Sequence, residues 1–359
     1  MASNNRLLSL DVLRGLTVAG MILVNNGNGD TFAMLLHSEW NGLTPCDLVF
    51  PFFLFIMGVS CYLSLSKGLF APTQQTIRRI LKRTVLLFLI GLFINWFAMA
   101  LWDQTLDVSH LRLWAVLQRI ALCYFFVSMF ALFVNHRYTI PVTLALLAVY
   151  AVILLAGNGY SQDPTENILA RVDTYLFGKD HLYRYSPIDP EGLLGTISGV
   201  AHTMIGFYCG KLIKSSAGIE QTMCRLFAVG TACILSGYLL SYLLPLNKCI
   251  WSPSYALVTC GLGASLLALI MFLIDYHTCP PYRYRFFLVF GMNALALYVA
   301  SELFAVIFGW SGLSTMYYDT LSSFIPYARL TSLAYALTMV LFIFALGYLL
   351  YRKRIFIKL

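Results

Sequence analysis

Residues 85–101 read VLLFLIGLFINWFAMAL, a run without a charged side chain, and residues 143–156 read TLALLAVYAVILLA. Runs that approach ~20 apolar residues are long enough to cross the ~30 Å hydrocarbon core of a bilayer. Backbone groups in lipid must be hydrogen-bonded internally, so a spanning segment is a helix or part of a closed barrel. The runs are continuous and do not alternate with period two, which indicates helices.

The composition agrees with a membrane protein. Of the 359 residues, 59% are hydrophobic and 11% are charged, whereas a soluble domain carries roughly 25% charged residues. We therefore predict an all-α, polytopic transmembrane bundle that forms one domain over residues 1–359. About ten spans are predicted near residues 7–27, 44–66, 84–101, 114–134, 139–157, 194–213, 225–245, 254–274, 286–309 and 328–350.

Basic and acidic residues are divided between the loops on the two sides of the predicted bundle. One side holds 16 of the 24 basic residues, namely Arg6, Lys67, Arg78, Arg79, Lys82, Arg83, Arg137, Lys211, Lys214, Arg225, Arg283, Arg285, Arg352, Lys353, Arg354 and Lys358. The opposite loops hold most of the acids, namely Asp30, Glu39, Asp103, Asp107, Asp163, Glu166, Asp173, Asp180, Asp189, Glu191 and Asp319. The positive-inside rule then predicts that both termini are cytosolic. The net charge of +8 thus follows topology, and we predict no nucleic-acid partner.

Residues 1–6 are too short and too polar to begin a signal peptide, so the first apolar run is predicted to be retained as a span. The chain has 9 cysteines, and none forms a CxxC pair typical of a metal site. We interpret most of them as small buried hydrophobes and predict no metal. Cys46 and Cys249 both fall near the predicted outer face, and their pairing stays open.

Ionisable side chains inside predicted spans indicate function, because charge is costly in lipid. Asp11 and Arg14 share one helix face near the cytosolic end of the first span. They form either a helix-end ion pair or, through Arg14, part of a site for an anionic cofactor that arrives from the cytosol.

A polar layer is predicted near the outer face. Asn25, Asp47, Arg119 and Glu302 fall at similar depth, and Gln118 precedes Arg119. The layer is either a structural ion-pair network or a site.

His37 lies in the first external loop, ten residues before Asp47. A carboxylate just inside a span needs a partner, and a His–Asp pair is the arrangement that orients a general base. The alternative for His37 is a solvated surface residue.

Two further segments have both an ordinary interpretation and a functional one. Asp189 and Glu191 open the sixth predicted span, either as helix capping residues or as site residues. Lys248 and Trp251 precede the eighth span, either in an interfacial aromatic belt or at the site. No nucleotide-binding loop or metalloprotease motif is present, so these residues alone do not select a reaction.

The motifs at these positions resemble the heparan-alpha-glucosaminide N-acetyltransferase family and its bacterial glucosamine N-acetyltransferase relatives. The resemblance runs in order along nearly the whole chain, through SLDVLRG (9–15), HSEWNGLT (37–44), DLVFP (47–51), FIMG (55–58), VLQR (116–119), DPEGLL (189–194), KCIWSPSY (248–255), GMNA (291–294) and YVASE (298–302).

The resemblance implies acetyl transfer from cytosolic acetyl-CoA to the amine of a glucosamine-type sugar across the membrane. It assigns catalysis to His37, Asn25 (with Asn26 as the alternative, because the spacing shifts) and Asp47. It also implies a homodimer and, through the bacterial relatives, a multi-pass protein of the bacterial inner membrane. We expect Asp11, Arg14, Gln118 and Arg119 at the cofactor, and Glu39, Trp40, Asn41, Asp189, Glu191, Lys248, Trp251 and Glu302 at the acceptor.

From the family resemblance we expect that the luminal domain and extra span preceding the membrane core in the animal enzyme are lacking here, and we therefore expect a small amino sugar or oligosaccharide as acceptor. Two alternatives remain. An amino-sugar transporter would use Asp47, Arg119 and Glu302 along a substrate or proton path, and an O-acyltransferase of envelope polysaccharide would change only the acceptor.

Overall fold

The computed structural model describes residues 7–183, 186 and 188–357, and within them the chain is helical without a strand. Its α-helices, in chain order, are α1 (Leu8–Asn25), α2 (Val49–Leu65), α3 (Gln74–Trp102), α4 (Val116–Phe133), α5 (Thr139–Ala156), α6 (Ile168–Phe177), α7 (Gly195–Ser215), α8 (Ile219–Leu240), α9 (Pro253–Met271), α10 (Arg285–Met292), α11 (Ala294–Trp310), α12 (Leu313–Phe324) and α13 (Ala328–Arg352). The predicted all-α class is confirmed. Arg6 and Lys358, which the charge argument used, lie outside the described residues.

Eight helical segments in the described part of the chain are long and apolar enough to cross a membrane, namely Leu8–Asn25, Pro45–Gly68, Gln74–Trp102, Val116–Phe133, His136–Ala156, Ile219–Leu240, Pro253–Tyr276 and Ala328–Arg352. The helix pair α10 and α11 adds a ninth if it counts as one span. Helix α7 is not among them, although its 21 residues extend about 31 Å. The count of about ten spans therefore stays a prediction.

The span predicted near residues 286–309 is divided into two helices. Helices α10 and α11 meet at Asn293 with a bend of 85°. The Asn293 side chain donates from Nδ2 to the Ile355 carbonyl at 3.0 Å and accepts from the Ile357 amide at 2.9 Å. The segment after α13 is thus hydrogen-bonded to the break, where the helix is interrupted.

Helix α7 packs against α2 with almost no space between the two backbones. A Cβ on Gly58 would lie 2.1 Å from the Thr203 carbonyl oxygen, and a Cβ on Gly206 would lie 2.2 Å from the Phe55 carbonyl oxygen. Small residues allow such close helix contacts in membrane bundles. His202 of α7 completes this contact through Nε2, which lies 2.9 Å from the Pro51 carbonyl, so it serves as an interhelical hydrogen bond.

Two cavities mark the two ends of the bundle. At one end, α1 and α3 finish while α4 and α7 begin, and this end carries His37. At the other, α1 begins while α2 and α7 finish, and this end carries Arg14. We call them the His37 end and the Arg14 end.

Candidate active site

A cavity of about 500 Å³ opens at the His37 end. Its lining includes seven of the side chains singled out from the sequence, namely Asn25, His37, Glu39, Gln118, Glu191, Lys248 and Glu302. These residues come from three helices and three loops, so only the folded bundle brings them together.

His37 and Asp47 form a hydrogen-bonded pair at this cavity. The Nδ1 atom of His37 lies 2.8 Å from Oδ1 of Asp47. The Asp47 side chain is fully buried, whereas the His37 side chain is 53% exposed. A carboxylate can only accept, so Nδ1 carries the hydrogen and Nε2 keeps a free lone pair. The pair has the arrangement of a general base and its orienting acid.

The short segment before α2 fixes the Asp47 carboxylate. Its Oδ2 atom accepts from the Ser38 amide at 3.2 Å, the Thr44 amide at 3.1 Å and the Thr44 hydroxyl at 3.0 Å. Thr44 and Asp47 thereby form a capping box around Pro45 at the start of a 3₁₀ turn, a local motif in which each side chain satisfies the other's backbone amide. With Oδ2 fully occupied, Oδ1 is the atom presented to His37.

Lys248 lies against the same imidazole. Its Nζ atom is 2.9 Å from Nδ1 and 3.0 Å from Nε2 of His37, and 3.6 Å from Oδ1 of Asp47. A donor in line with one ring nitrogen would lie much farther from the other, so the Lys248 Nζ sits over the ring face. The neighbouring Cys46 and Cys249, whose pairing the sequence left open, are not joined by a disulfide in the described structure.

Asn25 and Glu302 form a second pair at the cavity. Nδ2 of Asn25 donates to Oε1 of Glu302 at 3.0 Å, which ties the end of α1 to α11. The neighbouring Asn26 instead donates to the Ile22 carbonyl of its own helix at 2.7 Å. The structure therefore favours Asn25 over Asn26 as the cavity residue.

Gln118 faces the cavity from α4. Its side chain is fully buried, and neither amide atom has a hydrogen-bond partner among the described residues. A Cβ at Gly91 would lie 2.3 Å from its Oε1 atom, so the glycine on α3 makes room for this amide. Unpaired buried polar atoms are costly, which favours a role for Gln118 in contacting a bound molecule or water.

Sequence reasoning missed Arg112, which forms the charged wall of the cavity. Its Nη2 atom lies 2.8 Å from Asp189 Oδ1 and 2.7 Å from Glu191 Oε2. Its guanidinium also stacks 4.3 Å from the Tyr183 ring centre. The clue in the sequence was that Arg112 is an isolated arginine on the acid-rich side of the predicted bundle. Its acidic partners come nearly 80 residues later in the chain.

Replacing Arg112 by methionine is expected to lower the free energy of unfolding by about 2–3 kcal/mol, because the fully buried Asp189 carboxylate loses its counter-ion. Thermal or denaturant unfolding of the detergent-solubilised protein measures this change. The exposed Arg171, replaced in the same way, is the matched control. Equal effects of the two substitutions would contradict a structural ion pair at Arg112.

Several expected site residues lie behind the cavity. Arg119 is buried on α4, donates to the Gly192 carbonyl at 2.9 Å and stacks on the Trp251 ring. Trp40 donates to the Tyr160 carbonyl at 3.1 Å, and Asn41 accepts from Asn247 at 3.2 Å. These contacts hold the loops of the His37 end in place and do not line the cavity.

Asp173 supports the turn that carries Glu191. The Leu193 amide donates to its Oδ1 atom at 3.1 Å. Burial raises the pKa of this carboxyl to about 6, although the Leu193 amide opposes the rise. An acid with a raised pKa folds preferentially in its neutral form. The free energy of unfolding therefore falls as the pH rises from 3.8 to about 6, because the carboxyl ionises more readily in the unfolded chain than in the folded protein.

Asp173→Asn is therefore expected to stabilise the protein by about 1–2 kcal/mol at a pH well above 6, because the asparagine stays neutral. The difference in the free energy of unfolding between the variant and the unchanged protein should disappear at a pH below the ordinary pKa of aspartate. Melting temperatures across this pH range test the prediction, with the exposed Asp163→Asn as control. A pH-independent difference would contradict it.

A second cavity of about 580 Å³ lies at the Arg14 end. Arg14 Nη1 is 2.8 Å from Asp11 Oδ1, and Nη2 donates to the Ser60 hydroxyl at 2.9 Å. Lys67 and Lys214 line the same cavity. The ion pair and the basic lining coexist here, so the two interpretations of Arg14 are compatible.

Comparison with known proteins bears on what these two cavities do. Residues 6–174 match the family described as heparan-alpha-glucosaminide N-acetyltransferase, catalytic. The predicted family resemblance is confirmed. The family match includes Asn25, His37, Asp47 and Gln118, whereas the Glu191, Lys248 and Glu302 side of the cavity lies beyond it.

Two mammalian members of the family are similar over a longer stretch. The heparan-alpha-glucosaminide N-acetyltransferase of Mus musculus is 28% identical, and the match covers 84% of this chain and 54% of the mouse protein. The protein of the same name from Homo sapiens is 29% identical, over 83% of this chain and 53% of its own length. The chain thus spans about half the length of the curated relatives it matches.

Proposed function

We propose that this protein is a membrane N-acetyltransferase, which moves an acetyl group from cytosolic acetyl-CoA to the amine of a glucosamine-type sugar on the opposite side. The observation that carries the proposal is the His37–Asp47 pair, 2.8 Å apart and facing a cavity at one end of the bundle. The basic cavity at the other end is suited to an anionic donor. The family similarity supports acetyl transfer as the reaction.

In this reaction the neutral acceptor amine attacks the acetyl carbon. The C–N bond forms as the C–S bond breaks. Nε2 of His37 takes the surplus amine proton as general base and returns it to the departing CoA thiolate. Asp47 holds the ring in the tautomer that leaves Nε2 free. The competing route places the acetyl group on His37 first, and both routes require the same pair.

Asn25 stabilises the oxygen of the thioester as negative charge develops there. One Nδ2 hydrogen is donated to Glu302, which leaves the other for the substrate. Glu302 thus positions the amide of Asn25, much as Asp47 positions His37.

Asn25→Ala is expected to lower kcat by about 10²–10³-fold, the usual effect of removing one such donor. The KM for acetyl-CoA should change little, because the thioester oxygen is contacted most strongly in the transition state. Steady-state kinetics in detergent measure both constants. The adjacent Asn26→Ala is the control for a disturbed helix end, and an equal loss in that variant would argue against a specific role for Asn25.

The donor would bind with its phosphates at the Arg14 end, near Arg14, Lys67 and Lys214. Arg14 and Asn25 are separated by about 16 Å along α1, the distance that the extended pantetheine arm must bridge. At the His37 end, the carboxylates of Glu39, Glu191 and Glu302 suit the hydroxyl and amino groups of a sugar. Trp40 and Trp251 are buried and would support the site from behind.

Purified protein, labelled acetyl-CoA and glucosamine test the proposal directly. We expect a labelled amide that survives mild hydroxylamine. A labelled ester that hydroxylamine removes would instead favour the O-acyltransferase. No labelled product, combined with uptake of unmodified sugar by proteoliposomes, would favour the transporter, for which the 85° break between α10 and α11 is the supporting observation.

Location and assembly rest on the family resemblance alone. We propose the bacterial inner membrane as the site of action and a homodimer as the assembly. Chemical crosslinking in native membranes would test the second point.

A further inference from the structure

The cavity at the His37 end already contains a primary amine. The Nζ atom of Lys248 is 3.0 Å from Nε2 of His37 and 3.6 Å from Oδ1 of Asp47. Its side chain is only 14% exposed. It is therefore held against the base and does not extend into solvent.

An acceptor amine in this reaction has to come within about 2.6–3.2 Å of the base that takes its proton, in line with the Nε2 lone pair, and it has to reach the acetyl carbon within the same cavity. The Lys248 amine lies at this distance but over the ring face, so it must turn into the plane of the ring. Lys248 lines that cavity together with Asn25 and Gln118. A flexible four-carbon side chain lets its amine turn toward a bound thioester without movement of the backbone.

We propose that Lys248 is a self-acetylation site, which receives the acetyl group when no sugar acceptor is bound. The ammonium first loses one proton to water in the cavity. The neutral Nζ then attacks the thioester, the C–N bond forms as the C–S bond breaks, and His37 passes the surplus proton to the CoA thiolate. The products are free CoA and N-acetyl-lysine. This inference rests on the proposed function, because it uses the same donor and base.

The modification has a predictable consequence. Acetylation removes the charge of Lys248 beside Asp47 and adds bulk over the His37 ring. The enzyme should therefore lose activity with time when it is incubated with acetyl-CoA alone, and the sugar acceptor should protect it. The site would thus couple activity to the supply of acceptor.

Isotope-labelled acetyl-CoA and peptide mass spectrometry on the purified full-length protein test this inference. Lys179 is the internal control, because it is exposed at the same end and lines a neighbouring groove. We expect Lys248 to be labelled about 10²-fold faster than Lys179, to depend on His37 and to be protected by glucosamine. Lys248→Arg, which keeps the positive charge, should abolish the label and exclude the adjacent Cys249 as its carrier.

Equal labelling of Lys248 and Lys179, or labelling that persists in His37→Ala, would show that the labelling is non-enzymatic and would overturn the inference. Acetylated glucosamine without acetylated Lys248 would overturn it and leave the proposed function in place. If neither the sugar nor Lys248 is acetylated, the proposed function itself fails.

Discussion

Replacing His37 by alanine is expected to lower the rate of acetyl transfer by about 10²–10⁴-fold, the contribution of a positioned general base. Acetyl-CoA should still bind, because the basic cavity at the Arg14 end shares no residue with the cavity at His37. Single-turnover transfer measures the first quantity, and equilibrium binding of labelled acetyl-CoA measures the second.

The exposed His277 provides the matched control, because it lies outside both cavities. His277→Ala should keep full activity. Full activity in His37→Ala would remove His37 from the mechanism. Loss of both transfer and acetyl-CoA binding would point to a general disturbance of the bundle.

Asp47→Asn is expected to lower kcat by about 10³–10⁴-fold, because the amide reverses the hydrogen bond to His37. Three donors converge on Oδ2 of Asp47, so the oxygen of an asparagine must occupy that position. The amide nitrogen then faces Nδ1 of His37 and donates to it. The ring hydrogen moves to Nε2, and the atom that should accept the proton is blocked.

Asp30→Asn is the control, because Asp30 is an exposed acid on the same side and pairs with an exposed arginine. It should leave kcat unchanged. A modest loss in Asp47→Asn, similar to that in Asp30→Asn, would show that the tautomer of His37 does not govern the rate.

The helical class and most span positions were predictable, because runs such as residues 143–156 are long, apolar and without turn signals. The break at Asn293 was not predictable from hydropathy. Its side chain hydrogen-bonds with the backbone of Ile355 and Ile357. The local sequence pattern around Asn293 does not predict a contact with residues more than 60 positions away. Helix α3 also begins at Gln74, ahead of its apolar run, because Thr73 caps it through the Thr76 amide.

The proximity of His37 and Asp47 was predictable from the chemistry of a buried acid and from their short separation in sequence. Arg112 was not, since its acidic partners come from the turn before α7. The position of Arg119 differed from expectation for a related reason. The carbonyl of Gly192 and the ring of Trp251 hold its guanidinium behind the cavity, and depth along a predicted span does not reveal which way a side chain faces.

Acetyl transfer in sealed vesicles of known orientation tests the central claim most directly, with labelled acetyl-CoA supplied at the Arg14 end and glucosamine at the His37 end. We predict labelled N-acetylglucosamine on the glucosamine side. We predict no labelled product when acetyl-CoA and glucosamine are both confined to the side of the Arg14 end. A product that forms only when donor and acceptor share one compartment would contradict transfer across the bilayer.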